Sequence, residues 1–121
     1  MKFKNKKEFG SWGEEKAIEY LLEREYKILF HNYRNKLGEI DIIASKDRLL
    51  LFIEVKSRKN NSFGSPQTAV NYKKQVKIKK VAKYFIMENN YKNFQYRFDV
   101  VLVLYSQFND LVNIKHLKNS F

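Results

Sequence analysis

GEIDIIASKDRLLLFIEVK, residues 38–56, decides the fold. Two apolar runs, Glu39–Ala44 and Leu49–Lys56, flank Ser45-Lys46-Asp47-Arg48, a connection of the length that suits a tight antiparallel hairpin. Asp41 lies inside the first run; Glu54 and Lys56 end the second. Charges inside apolar strands are unfavourable unless they are paired or bind something. Alternate residues of a strand share a face, so Phe52, Glu54 and Lys56 point one way, and Glu39 and Asp41 share a face of their own strand. An even loop in which Ala44 pairs with Leu49 puts Asp41 opposite Phe52, diagonal to Glu54, and Glu39 opposite Glu54. An odd loop would send Asp41 and Glu54 to opposite faces.

Three acids pointing together repel one another and call for a cation. Lys56 supplies one unit of charge. Mg²⁺, a hard ion with oxygen ligands, suits the rest because it keeps waters for chemistry, and Mn²⁺ is the alternative. Such an ion lowers the pKa of a bound water and stabilises phosphate charge. Lys56 would orient the attacking water or stabilise developing negative charge. The competing reading is an exposed edge hairpin with solvated charges and a Glu54–Lys56 pair. The acid-x-Lys pattern is weak alone, since it recurs at Glu14-Glu15-Lys16 and Glu25-Tyr26-Lys27; only the third lies in an apolar strand.

Outward from the hairpin, Ser11-Trp12-Gly13-Glu14 reads as a capping box opening a helix from Trp12 to about Glu25, with Ala17, Ile18, Leu21 and Leu22 as its inward stripe. Glu14 would then either complete the metal site or simply cap the helix. A strand follows near Tyr26 to Asn32, then a polar turn, Tyr33 to Gly38. Ser57 to Gln67, with the only proline, Pro66, reads as a mobile basic loop. Asn71 caps a second helix, Tyr72 to about Asn89, buried through Ile78, Val81, Ala82 and Phe85. Phe98–Tyr105 reads as a central strand covered on both faces, and Leu111–Leu117 as a last strand. Asp99 has two readings, a reach into the site or, more simply, a local pair with Arg97. The order α-β-β-β-α-β-β gives an α/β fold with a mixed sheet flanked by helices, in one domain spanning 1–121.

The net charge is +11, distributed unevenly: ten of the thirteen acids lie between Glu8 and Glu54, whereas Val55 to Met87 holds nine bases and no acid. That one-sidedness is the footprint of a polyanion partner, with DNA favoured. The candidate contacts are Arg58, Lys59, Lys73, Lys74, Gln75, Lys77 and Lys80. Within the first helical turn, where cations are disfavoured unless a phosphate binds, Lys73 is preferred over Lys74. Cysteine is absent, which excludes disulfides and thiolate metal sites. No apolar run approaches 18 residues and no signal-peptide core follows Met1–Lys7, so no membrane association and a cytoplasmic location are expected. His31 and His116 are isolated, and no His-based metal motif is visible.

Gly13-Glu14 with Ala17 and Tyr20-Leu21, Asn32 and Arg34, Gly38-Glu39-Ile40-Asp41, Phe52-Ile53-Glu54-Val55-Lys56 with Arg58, Phe63-Gly64 and Pro66, Ala69-Val70 and Lys73, and Arg97-Phe98-Asp99-Val100-Val101 together resemble the YraN-like family. The resemblance runs from about Phe9 to Leu104. That family is similar to the archaeal Holliday-junction resolvases of the PD-(D/E)xK nuclease superfamily. The resemblance implies a restriction-endonuclease-like fold, with Asp41 and Glu54 as metal-binding acids, Lys56 as the motif lysine and Glu14 as the helix glutamate of the resolvase branch. Ile40 stands where the superfamily often has proline. The expectation is a Mg²⁺-dependent endonuclease acting on DNA, branched DNA included, working as a homodimer by analogy. The alternative is a non-catalytic nucleic-acid-binding module on a nuclease fold.

Overall fold

The computed structural model describes residues 3–59 and 70–121. Its elements are α1 (Lys6–Glu23), β1 (Lys27–Asn35), β2 (Gly38–Lys46), β3 (Leu49–Lys59), α2 (Tyr72–Glu88), β4 (Gln95–Tyr105) and β5 (Val112–Leu117). The order and class are those expected from the sequence. The five strands form one mixed sheet in the order β1-β2-β3-β4-β5. Every neighbouring pair is antiparallel except β3–β4. A parallel pair needs a long crossover, and α2 lies within it.

α1 begins earlier than the capping box at Ser11 predicts. Asn5 is the N-cap, its side chain accepting from the Glu8 amide at 2.9 Å. Asn5-x-x-Glu8 thus uses the same cap logic six residues upstream. The extra turns are held by Phe9 and Trp12, which pack on Phe3. Leu22, expected inside, is 55 % exposed; Ala17 and Leu21 carry the buried stripe. β1 also outruns its expected end, because it pairs with β2 as far as Asn35↔Gly38.

The central hairpin closes through Lys46↔Leu49, leaving Asp47-Arg48 as a two-residue loop. Both residues have positive φ, 49° and 63°, as a type I′ turn requires. The loop is even, as the same-face reading needs, but the register is two residues from the expected one: Ala44 faces Leu51 rather than Leu49. Carried onward, this register sets Asp41 level with Glu54 instead of Phe52, and Glu39 is no longer opposite Glu54.

Two apolar layers cover the sheet. Phe52, Leu50, Ile43 and Phe98 pack under α2 through its expected stripe, Ile78, Val81, Ala82 and Phe85. Ile42, Leu51, Ile53 and Val101 pack under Ala17 and Leu21 of α1. β4 is buried from Phe98 to Tyr105, as a central strand should be. Among the described residues no helix is long and apolar enough to cross a membrane.

Candidate functional site

The ladder between β2 and β3 ends at Ile42↔Ile53. β2 loses its alternation at the same point: Ile40 and Ile43, three apart, both pack in the α2-side core, while Ile42 packs on the α1 side. Asp41 sits at this break. Its Oδ2 accepts from the Val55 amide at 2.8 Å, so a carboxylate satisfies β3 where the ladder no longer does. Glu54, from the neighbouring strand, is only 7 % exposed, and its Oε1 accepts from Lys74 Nζ at 2.6 Å.

Glu14 reaches the same region from the other side of the sheet. α1 lies hard against β3 because Gly13 is buried with no side chain; a Cβ there would stand 1.7 Å from Ser57 Oγ. Since the helix starts at Lys6, the capping explanation for Glu14 falls away. Its Oε1 lies 2.8 Å from His31 Nε2. Sequence reasoning set His31 aside; no local pattern links positions 14 and 31, which only the packing of α1 on β1 joins.

The electrostatics mark Asp41. Burial first, then the charge of Glu54 and more weakly that of Glu14, push its carboxyl up to about 7, against the pull of the Val55 amide and Lys74. Partial burial, with Arg58 nearby, draws Lys56 below the ordinary lysine value. Burial also works against the charge on Lys74, but its bond to Glu54 and the attraction of Asp41 and Glu39 outweigh this and hold it high.

Among the described residues no three His, Asp or Glu side chains sit close enough to form a ready-made metal cage. Mg²⁺ does not need one: it commonly takes one or two carboxylates and retains several waters. Asp41 and Glu54 fit that requirement. Each has one oxygen engaged, with Val55 and Lys74 respectively. They are also mutually repelling, which a divalent ion would relieve.

Glu54 opens onto a cleft of about 980 Å³ walled by the first half of α1, the end of β3 and the start of α2. Lys56, Arg58, Lys59 and Lys74 line it, as does Glu14; Asp41 is not part of its wall. Of the two lysines weighed in the first turn of α2, Lys74 rather than the preferred Lys73 lines the cleft. With Asn71 accepting from the Lys74 amide at 2.9 Å, the helix phase turns Lys74 to Glu54, while Lys73 is exposed outside the cleft. Lys77 and Lys80 are likewise exposed on α2 and do not line it. Gln75 donates to the Val70 carbonyl at 2.7 Å and so holds the chain entering α2. Ser57, Arg58 and Lys59 belong to β3 rather than to a loop. The rest of the basic loop expected over Ser57–Gln67 lies outside the described residues.

Asp99 follows the simpler of its two readings. It is fully buried and bonded by Arg97 Nε at 2.8 Å and Nη2 at 2.9 Å, His116 Nε2 at 2.7 Å and the Asn119 amide at 2.9 Å. Burial alone would raise its carboxyl, but these partners take it down to about 2. Tyr20 Oη lies 3.3 Å from the other ring nitrogen of His116, tying α1 to β5.

Comparison with known proteins gives one family. The model of the uncharacterised protein family UPF0102 matches residues 13–103. A UPF0102 protein of Caldicellulosiruptor saccharolyticus is 46 % identical over 117 residues, covering 97 % of this chain and 99 % of the relative. One of Clostridioides difficile is 47 % identical with the same coverage of each. One of Caldanaerobacter subterraneus is 43 % identical over the whole of both chains.

Proposed function

The chain belongs to the uncharacterised protein family UPF0102, and we propose that it is a divalent-metal-dependent endonuclease hydrolysing phosphodiester bonds in DNA, with branched or junction DNA as the substrate class to test first. The observation that carries the reading is Asp41: a carboxyl raised to about 7 by burial and by Glu54, at a break between strands, beside a cleft lined with bases. Asp41 and Glu54 would hold Mg²⁺ or Mn²⁺. When bound, that ion would acidify a water and offset phosphate charge. Lys56, on β3 two residues beyond Glu54 and less basic than an ordinary lysine, would orient the water or stabilise charge developing on the phosphate. Glu14, held by His31, adds negative charge that favours the metal. Arg58, Lys59 and Lys74 would contact the backbone along the cleft. A homodimer would place two such sites for paired cuts in a symmetric junction.

The test is cleavage of a labelled four-way junction and a matching linear duplex with Mg²⁺ or Mn²⁺. Wild type should cleave. Glu54→Ala and Lys56→Ala should lose cleavage while still binding. Pure wild type that binds but cleaves neither substrate in either metal would refute the catalytic reading.

A second reading has its own support. The Lys74–Glu54 pair puts a protein cation where a metal would sit, as a non-catalytic nucleic-acid-binding module could retain. Titration calorimetry separates the two: the nuclease reading requires Mn²⁺ or Mg²⁺ binding that weakens in Asp41→Asn. Both readings require salt-sensitive binding, roughly a thousandfold weaker between about 50 and 200 mM salt for some six phosphate contacts.

A further inference from the structure

The cleft has an aromatic wall for which phosphodiester chemistry gives no role. At the start of α1, the Phe3 ring centroid lies 4.8 Å from that of Phe9 and 5.2 Å from that of Trp12. Phe9 and Trp12 are stacked, at 5.7 Å and 14°. Tyr105 of β4 closes the cluster from beneath, edge-on to both Phe3 and Trp12. Phe3 and Phe9 are only half-buried, and both line the cleft that also holds Glu54. The ammonium of Lys59 lies 5.6 Å from the Phe9 ring centroid. Lys59 stands five residues beyond Glu54 on β3, on the order of 16 Å at the usual strand rise. The aromatic wall and the acids are thus set a few nucleotides apart along one cleft.

We infer that Phe9, with Phe3 beside it, is a stacking platform for an unpaired nucleobase, so that the cleft takes nucleic acid with single-stranded nucleotides a few positions from the scissile phosphate. A cleft that met only the duplex backbone would need cations and no apolar wall, because paired bases keep their faces inside the stack. An unpaired base exposes a π-face to an aromatic ring and carries its phosphate to the lysines around it. The cation already placed over Phe9 marks the ring as reachable by polar groups from the cleft. The inference rests on reading the cleft as a nucleic-acid site, and it defines the substrate as one with an overhang, flap or gap.

Trp12 is the only tryptophan of the chain and is stacked on Phe9, so its fluorescence reports on the platform. The full chain in EDTA is titrated with a duplex carrying a single-stranded thymidine overhang, and with a blunt duplex of equal nucleotide count. The overhang should bind roughly tenfold or more tightly, the range of one base stacked on an aromatic side chain, and should change Trp12 emission. Phe9→Leu should remove most of that preference and leave affinity for the blunt duplex unchanged. Phe9→Tyr, which keeps the ring, should retain it. Equal affinities in wild type, or equal losses for both duplexes in Phe9→Leu, would overturn the inference. Because the metal is absent, the preference is measured apart from cleavage. A chain that prefers the overhang yet cleaves nothing in either Mg²⁺ or Mn²⁺ supports the platform and sinks the nuclease. Cleavage without the preference does the reverse.

Discussion

Replacing Asp41 by Asn should make the metal-free protein more stable, and by an amount that depends on pH. The variant keeps an oxygen to accept from the Val55 amide and loses the charge that burial and Glu54 disfavour. The carboxyl titrates near 3.8 in an open chain and near 7 when folded. Below 3.8 both states are protonated. Between 3.8 and 7 the folded state holds a proton that the unfolded state has lost, so wild-type stability falls as pH rises; above 7 the full cost is present. At about 1.4 kcal/mol per pKa unit that interval is worth roughly 4 kcal/mol. Asp41 is not fully enclosed, and solvent screens part of this cost, so about 2 kcal/mol is the expected gain. For a domain of this length, that raises the melting temperature by roughly 8 °C. Calorimetry in EDTA should show this difference near about pH 8.5, shrinking to about a third of its full value by about pH 5. Metal at a hundred times its dissociation constant should then stabilise wild type by about 2.7 kcal/mol and leave the variant nearly unmoved. A variant no more stable than wild type, or a gap that does not change with pH, would refute this account of Asp41.

Lys74→Met should leave Glu54 buried without its partner and lower metal-free stability by about 1–2 kcal/mol, while tightening Mn²⁺ binding in a calorimetric titration because the competing cation is gone; weaker Mn²⁺ binding would mean that Lys74 supports the site instead. Asp99→Asn should lose about 2 kcal/mol in urea at neutral pH, since a carboxyl depressed to about 2 contributes stability above 3.8 and loses it as pH falls through 2; a variant equal to wild type at pH 7 would contradict the network around Arg97 and His116. Gly13→Ala should drive α1 off β3 at a cost of about 1–3 kcal/mol, and adding Ser57→Ala should recover part of it, because the 1.7 Å contact is with Ser57 Oγ; a silent Gly13→Ala in thermal melts would rule out the close approach.

Most of the architecture was legible because local signals agreed with one another. Asn71 caps α2 where expected, its buried stripe is the one that helical spacing predicts, and the unbroken run Val100–Leu104 lies on a covered central strand. The hairpin was legible in parity but not in register. An even loop follows from side-chain alternation along the apolar runs, whereas the loop length depends on Asp47 and Arg48 both taking positive φ, and the break in alternation at Asp41 carries no local signal. The start of α1 was misplaced because Ser11 and Asn5 offer equivalent caps, and what decides between them is the tertiary packing of Phe9 and Trp12 on Phe3. In the site, Asp41, Glu54, Lys56 and Glu14 were visible as charges in or near apolar surroundings. Lys74 was named among the basic contacts but ranked below Lys73, because a difference of one residue on a helix is a 100° rotation, and only the docking of α2 says which lysine turns toward Glu54. His31 and His116 carry no local signal at all; each gains its carboxylate partner from an element distant in sequence.

Two aspartates of this chain, the buried Asp99 and the partly buried Asp41, argue the functional case against each other. Asp99 shows that the fold can fully satisfy an aspartate when it serves as an anchor: Arg97, His116 and the Asn119 amide surround it and take its carboxyl down to about 2. Asp41 is treated differently. It receives one backbone amide, faces Glu54 and Glu14, and stays near 7 although Lys74 lies close enough to attract it. Lys74 bonds Glu54 from a half-exposed position, 53 % accessible. A carboxyl facing like charge is unfavourable in the resting protein, and structural duty alone does not require it, because an asparagine would accept from the Val55 amide without the charge. A divalent cation, as proposed for this site, would relieve such a deficit. The same charge arithmetic favours the nuclease over the binding module: a cleft evolved only to hold a polyanion would gain affinity by discarding Glu54 and Glu14, which repel every phosphate that enters it.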